Sequence, residues 1–351
     1  MTETQTNRQP DAPRERGGQL WRWTRRLLLG LVGLVVFVLL AGVIYQFVAT
    51  KIDAYRWYPS PSEMVDVGGS SMHLHCTGEE GRAPTVVMDI GAGGNLLDWG
   101  SVQPGVAKFA RVCSYDRGGA GWSDPGPHPR TSQQFVEDLH ALLNNAGVEG
   151  PYVLVGHSLG GNNVQIYASR YPDEVAGMVL VDPQFYNYPS YLDPEVLNAL
   201  AGALPSPGST LWTKFLATIS VTRLPYTFGE QTDENAAIST HAKNTYEALD
   251  ETISLEESAK ERRAATVSLG GKPLMVLSAG ARDPLPGASQ EQSDRFNEAW
   301  TESQVDLTRV SQNSEQIIAE DSSHSIQYDD PELVIDAIRQ VEEAVRNGGN
   351  V

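Results

Sequence analysis

Residues 152–161 read YVLVGHSLGG, and this stretch constrains the fold more than any other. Its first four residues, Tyr152, Val153, Leu154 and Val155, have the length and composition of a buried strand. Gly156, His157, Ser158, Leu159 and Gly160 follow without a break, then Gly161. A helical pattern comes next, with Val164, Tyr167 and Ala168 on one face, and it ends before Pro172. A serine held on so sharp a strand-to-helix turn has its Oγ exposed. The residues two before and two after it must be tiny, or their Cβ atoms collide. Gly156 and Gly160 meet that demand. The five-letter pattern alone is weak in a glycine-rich chain, so the strand before it and the helix after it carry the reading. Ser158 is therefore predicted to be an activated nucleophile. Such a serine needs a base, an acid that orients the base, and donors for an oxyanion.

The second constraint is residues 27–49, an apolar run without a charged residue and with Gln46 as its one strongly polar side chain. A helix of this length crosses about 30 Å of hydrocarbon. Trp21 and Trp23 precede it, and Tyr45, Tyr55, Trp57 and Tyr58 lie at or beyond its far end, as interfacial anchors do. Arg8, Arg14, Arg16, Arg22, Arg25 and Arg26 crowd the N-terminal side, whereas only Lys51 and Arg56 follow the run closely. That asymmetry predicts a cytoplasmic N-terminus and a catalytic domain outside the cytoplasm. The competing reading is a cleaved signal peptide and a secreted protein, with Ala49 as the small residue at the cut. The run is longer than a usual signal core, which favours retention. Arg25-Arg26 also matches a twin-arginine signal, but two arginines beside a span are unremarkable.

Apart from this run, the 351 residues suffice for one large α/β domain with an insertion. The formal net charge of −18 argues against a nucleic-acid surface. Residues 1–26 read as a disordered basic tail and 50–63 as a linker with Pro59 and Pro61. Short strands are predicted over 64–67 and 71–76, joined by Gly68-Gly69 as a hairpin. Buried strands follow over 85–89, leading into Gly91-Ala92-Gly93-Gly94, and over 111–115, leading into DRGGAGWS. Phe135, Leu139, Leu142 and Leu143 mark a helix that Ser132 could cap. Residues 178–181 form a strand that ends at Asp182-Pro183. The alternation stops over 184–270, where aromatic and proline-rich pieces precede a charged helical stretch. It resumes with strands over 274–278 and 315–319 and a closing helix over 331–346. Alternating strands and helices give a mostly parallel sheet covered on both faces.

The pieces DIGAGG, YDRGGAGWSD, VLVGHSLGG, MVLVDP, SAGARDP and SSHSIQYDDPELVIDAI together resemble the α/β-hydrolase superfamily over residues 65–345, apart from 184–270. The resemblance implies an eight-stranded, mostly parallel sheet. The core is split into 64–183 and 271–351 by a cap insertion at 184–270, where such proteins vary. It also implies a Ser-His-acid triad in the order serine, acid, histidine. Position by position, Ser158 is the nucleophile, Asp283 the acid and His324 the base. Asp182 competes for the acid role because it too follows a strand, and some members place the acid there. The oxyanion donors are the backbone N–H groups of Leu159 and of Ala92 or its neighbour. Family members often carry His-Gly at the start of that second loop. This chain has Ile90-Gly91, which leaves the second donor open. The family's strand order makes the strands of Cys76 and Cys113 neighbours, so these two cysteines are expected to form a disulfide, with two buried thiols as the alternative.

The expectation is a membrane-anchored serine hydrolase that cleaves carboxylic esters or related acyl bonds of a small molecule through an acyl-enzyme. No cofactor, metal or nucleic acid is called for, and nothing in the sequence specifies an oligomeric state. A serine at the turn argues against epoxide hydrolysis and dehalogenation, which use an aspartate there in this superfamily. Peptidase, thioesterase, lactonase and haloperoxidase-like activities use the same triad, and a non-catalytic binding protein is the alternative from another class. His73 and His75 share a strand face and could bind a metal, but no third ligand is evident nearby, which favours packing. Asp116 and Arg117 are read as bracing their turn, Trp99 and Trp122 as packing, and 233–263 as a solvated helix face rather than a binding patch.

Overall fold

The computed structural model describes residues 16–56, 62–79, 84–225, 234–285 and 287–351. Most of the expected basic tail (1–15), part of the expected linker (57–61) and part of the insertion (226–233) lie outside the described residues.

Eight strands form one sheet in the order β1-β2-β4-β3-β5-β6-β7-β8. They are β1 (Glu63–Asp66), β2 (Ser71–Thr77), β3 (Thr85–Asp89), β4 (Val112–Tyr115), β5 (Tyr152–His157), β6 (Val175–Val181), β7 (Gly270–Ala279) and β8 (Ser311–Ala319). β2 pairs antiparallel with both β1 and β4, and every pairing from β4 through β8 is parallel. Every residue of β5 is buried, as expected of a central parallel strand covered on both faces. Its side chains alternate: Tyr152 and Leu154 join the apolar layer around Leu139, Val164 and Tyr167, whereas Val153 and Val155 join the layer around Val179, Ile335 and Ile338. The β1–β2 turn carries Gly68 and Gly69 at positive φ, and Asp66 Oδ1 accepts both of their N–H groups. Cys76 and Cys113 are register partners on β2 and β4 and are joined by a disulfide.

Helix α1 runs over Arg16–Arg56 without interruption. Two boundaries therefore differ from the sequence expectation. Residues 16–26 of the predicted tail are helical, and so are 50–56 of the predicted linker, where no glycine or proline after Gly42 breaks the pattern before Pro59. Its most apolar stretch is long enough to cross a bilayer and is not buried against the rest of the protein. The core helices are α2 (Ser132–Asn145) and α3 (Leu159–Arg170). Between β6 and β7 the chain forms α4 (Pro194–Ala203), α5 (Pro207–Thr218), α6 (Glu234–Ser239), α7 (Ala242–Ile253) and α8 (Leu255–Ala264), which lie over the C-terminal ends of the strands as a cap. α9 (Gln290–Leu307) precedes β8, and α10 (Pro331–Asn347) closes the chain. Ser132 begins α2 rather than capping it. The cap does that work instead: Ser258 Oγ and Glu261 accept the N–H groups of Ser132 and Gln133 at 3.1 and 2.8 Å.

Candidate active site

Ser158 sits between the end of β5 and the start of α3 at φ 50° and ψ −120°, a conformation strained for a residue with a Cβ. The glycines around it are a steric requirement. A Cβ on Gly156 would lie 2.5 Å from the Gly160 carbonyl oxygen, and one on Gly160 would lie 2.4 Å from the Asp89 carbonyl oxygen. The turn is held by Ser158 N–H donating to Val181 O at 3.2 Å and Gly161 N–H donating to Ser158 O at 2.9 Å.

His324 follows β8 and brings Nε2 to 2.9 Å from Ser158 Oγ. Its Nδ1 lies 2.7 Å from Asp182 Oδ2. Asp182 is fully buried at the end of β6 and holds the left-handed region at φ 38°. Its carboxylate also accepts from Ala279 N–H at 3.1 Å and from Arg282 Nη2 at 2.5 Å. Burial alone would raise this carboxyl, but hydrogen bonds from His324 and Arg282, with the Arg282 charge, outweigh it and hold the group below the usual carboxylate range. An ionised carboxylate only accepts, so Nδ1 carries the proton and Nε2 is left to accept from the serine hydroxyl.

The acid position thus differs from the sequence expectation. Asp283 is exposed, and His324 turns to Asp182 instead. β7 ends at Ala279, and the chain then bends over the β8 turn, with Gly280 N–H on Ala319 O and Ala281 N–H on Ser322 O. The side chain that returns from this loop to the site is Arg282, one residue before Asp283, and it grips Asp182. Asp182 is placed by its strand, as its N–H donates to Leu277 O on β7 at 2.7 Å. A signal was present in the sequence: Asp182 abuts its strand directly, whereas Asp283 stands four residues beyond Ala279.

His157 points behind the site, with Nε2 2.9 Å from the His324 carbonyl oxygen. Burial, reinforced by the adjacent His324, pushes it down to about 3, so it is a neutral donor that fixes the His324 backbone. The two expected oxyanion donors border Ser158. Leu159 opens α3, so helix geometry gives its N–H no partner within the helix. Ala92 lines the same cavity as Ser158, and a Cβ on the preceding Gly91 would lie 3.1 Å from Ser158 Cβ.

The Ala92 loop is fixed from the cap, which the sequence reading missed. Arg117, fully buried, donates to Asp89 Oδ1, Ile90 O and Gly91 O at 2.7, 2.7 and 2.6 Å. Its other face pairs with Glu251 of α7 at 2.9 and 2.8 Å, and Glu251 also accepts Gly93 N–H at 2.7 Å. Glu247, one turn earlier on α7, pairs with buried Arg130 at 3.1 Å. The reading of 233–263 as a solvated face therefore fails for Glu247, Glu251 and Arg262, all buried against the core. The signal available was an acidic pair one helical turn apart, but nothing in the sequence named its partners. Asp116 braces its turn as expected, accepting Leu96 N–H and Trp122 N–H, and it meets His73 Nδ1 at 2.8 Å. His75 Nδ1 meets Ser62 Oγ at 3.1 Å. Trp99 is buried, and Trp122 donates Nε1–H to Ala54 O of α1 at 3.0 Å.

Ser158 opens into a cavity of about 440 Å³ whose far wall is apolar, with Phe185, Tyr188, Leu197, Leu200, Phe296 and Trp300. The arrangement combines a hydroxyl, a hydrogen-bonded base and an oriented carboxylate beside an apolar chamber.

Residues 84–331 match the family model described as the alpha/beta hydrolase fold. The Bacillus subtilis (strain 168) protein YqjL, itself uncharacterized, is 28% identical over 277 residues, covering 78% of this chain and 89% of YqjL. An epoxide hydrolase mutant from Vigna radiata has a similar structure, with TM-score 0.60, 16% identity, and coverage of 80% of this chain and 98% of that one. The haloalkane dehalogenase DbeA from Bradyrhizobium elkani USDA94 gives TM-score 0.58, 15% identity, and coverage of 81% and 99%. Two structures named for different reactions are thus similar over almost their whole lengths, so the likeness defines the fold and leaves the reaction to the site.

Proposed function

The chain belongs to the α/β-hydrolase family, and from that membership we propose that it is a membrane-anchored serine hydrolase of carboxylic esters or related acyl compounds. The observation that carries the proposal is the hydrogen-bonded line from Ser158 Oγ through His324 to Asp182, open to an apolar cavity. In this reading Ser158 Oγ attacks the acyl carbon while His324 Nε2 takes the hydroxyl proton. Asp182 stabilises the imidazolium, and the N–H groups of Leu159 and Ala92 receive the oxyanion. Collapse of the tetrahedral adduct breaks the carbon–oxygen bond to the leaving alcohol, which takes the proton from His324. Water, deprotonated by the same imidazole, then attacks the acyl-enzyme and releases the carboxylic acid and free Ser158. The serine supports ester chemistry over the epoxide and halide reactions, and the apolar far wall supports a hydrophobic acyl or alkyl group.

The apolar run of α1 anchors the protein in this reading, with its arginine-rich end inside. The Cys76–Cys113 bridge supports a catalytic domain in an oxidising compartment. A panel of esters and amides scanned over acyl length, assayed on the membrane fraction, tests the proposal. Turnover should rise with acyl length until the cavity is filled and should favour esters over amides. An enzyme inert to every acyl compound in the panel would overturn it.

A further inference from the structure

The cap is attached to α1 inside the apolar run. Gly42, Gln46, Ala49 and Asp53 follow one helical face, and the last three are buried. Gly42 meets the turn after α5 so closely that a Cβ there would lie 2.5 Å from the Ile219 carbonyl oxygen. Ser220 Oγ lies 2.9 Å from Gly42 O and 3.0 Å from Gln46 Oε1, and Gln46 Nε2 donates to Thr240 O at 2.9 Å. Asp53 pairs with Arg223. The other faces of the same stretch of α1 stay exposed, with Ile44 and Phe47 among them.

These contacts fix a depth. Gly42 lies seven residues before Ala49, the end of the apolar run, which at the helical rise is roughly 10 Å inside that end. Ile219 and Ser220 share that level. Leu211, Phe215 and Ile219 share one face at four-residue spacing, and the chain meets Gly42 through the Ile219 backbone, so the apolar row of Leu211 and Phe215 leads along α5 to that contact. It is exposed: Leu211 is 72% accessible and the neighbouring Trp212 59%, with Phe215, Val221 and Leu224 also exposed. Leu204, in the link from α4 to α5, is both exposed and part of the cavity wall. A helix seated in an interface sinks about 5–10 Å, which matches the depth set by Gly42.

We propose that the apolar face of α5 and the following turn is seated in the outer leaflet beside α1, so that the cavity takes a lipophilic acyl substrate from the bilayer. This rests on the anchored hydrolase reading. The test is tryptophan quenching in the full-length protein, reconstituted in phosphatidylcholine vesicles with brominated acyl chains and compared with unbrominated vesicles. The Trp212 contribution is isolated by subtracting the Trp212→Phe variant. Bromines placed near the lipid carbonyls should quench Trp212, and deep bromines should quench it less. Unquenched Trp212 with the remaining tryptophans still quenched would overturn the seating while leaving the anchor in place. No quenching of any tryptophan would overturn the anchor and the seating together. Trp212 shielded in cross-linked dimers would assign the face to a second copy and overturn the proposal. Replacing Leu211, Trp212 and Phe215 by serine should slow hydrolysis of a long-chain ester dissolved in the vesicles and spare a short water-soluble ester. Equal loss on both esters would overturn lipid-phase delivery, and a wild type inert to both would indict the hydrolase reading instead.

Discussion

On the core side of the cavity Ser158, and Asp182 buried behind it, stand where the backbone itself is bent, whereas the cap side is held down by side-chain ion pairs. Ser158 and Asp182 are among only three described non-glycine residues with positive φ, and both sit at the ends of adjacent parallel strands. Glycines 156 and 160 allow that bend, because any side chain would strike backbone atoms. The cap instead touches the core through Arg117–Glu251 and Arg130–Glu247, and it touches α1 through Asp53–Arg223. A wall built from backbone geometry fixes atoms for chemistry. A wall built from charged pairs is free to differ in lining while the chemistry stays, so the core should govern turnover and the cap should tune it.

Ser158→Ala challenges the core side most severely. Turnover should fall on the order of a millionfold, the loss seen for a triad nucleophile in another hydrolase, with the thermal midpoint little changed. Turnover within tenfold of wild type would break the comparison.

The acid comes next. Asp182→Asn should cost about ten-thousandfold, because the amide neither stabilises the imidazolium nor holds its tautomer. Asp283→Asn, at an exposed position, should stay within about twofold, as surface substitutions do. Steady-state kinetics on both variants decides between the two aspartates.

Glu251→Ala removes the main tie between the cap and the Ala92 loop. Breaking a buried pair costs about 3–5 kcal/mol of stability. With Gly93 released and Arg117 held only from its Asp89 side, kcat should fall by roughly one to two powers of ten, since an oxyanion donor is loosened rather than deleted. A variant less stable but unchanged in kcat would mean that the cap does not position the loop.

The smallest effects are in the pH dependence of stability, with opposite signs on the two walls. His157 is pushed down to about 3, so as pH falls below its unfolded value near 6.5 the unfolded chain gains a proton that the folded core refuses. Stability is then lost toward acid, by at most about 1.4 kcal/mol per pH unit. Glu247 of the cap is raised to about 7 by burial, so the folded state holds its proton more tightly. Its contribution is lost as pH rises from about 4.5 to 7. Denaturant melts across pH should show His157→Asn flattening the loss toward acid and Glu247→Gln removing the loss that accompanies the climb in pH from about 4.5 to 7.

The core was legible because its constraints are local in sequence. Gly156, Ser158 and Gly160 lie within five residues, and the apolar runs of β3, β5 and β6 announce a sheet buried on both faces. His324 could be found because it is the histidine that comes after a late strand, between β8 and the closing helix. The choice between Asp283 and Asp182 was harder because both follow late strands; in the structure His324 Nδ1 and Arg282 both turn to Asp182. The roles of Glu247 and Glu251 were hidden because their partners, Arg130 and Arg117, lie more than a hundred residues away. Charge spacing on a helix reports which residues share a face, not what that face meets.

The most direct test is labelling of the full-length protein in membranes with a fluorophosphonate probe, followed by mapping of the modified peptide. The account predicts one adduct, on Ser158, that is absent from Ser158→Ala and from denatured protein and that forms far more slowly in Asp182→Asn. Folded protein whose Ser158 stays unmodified, or whose adduct sits on another serine, would contradict it.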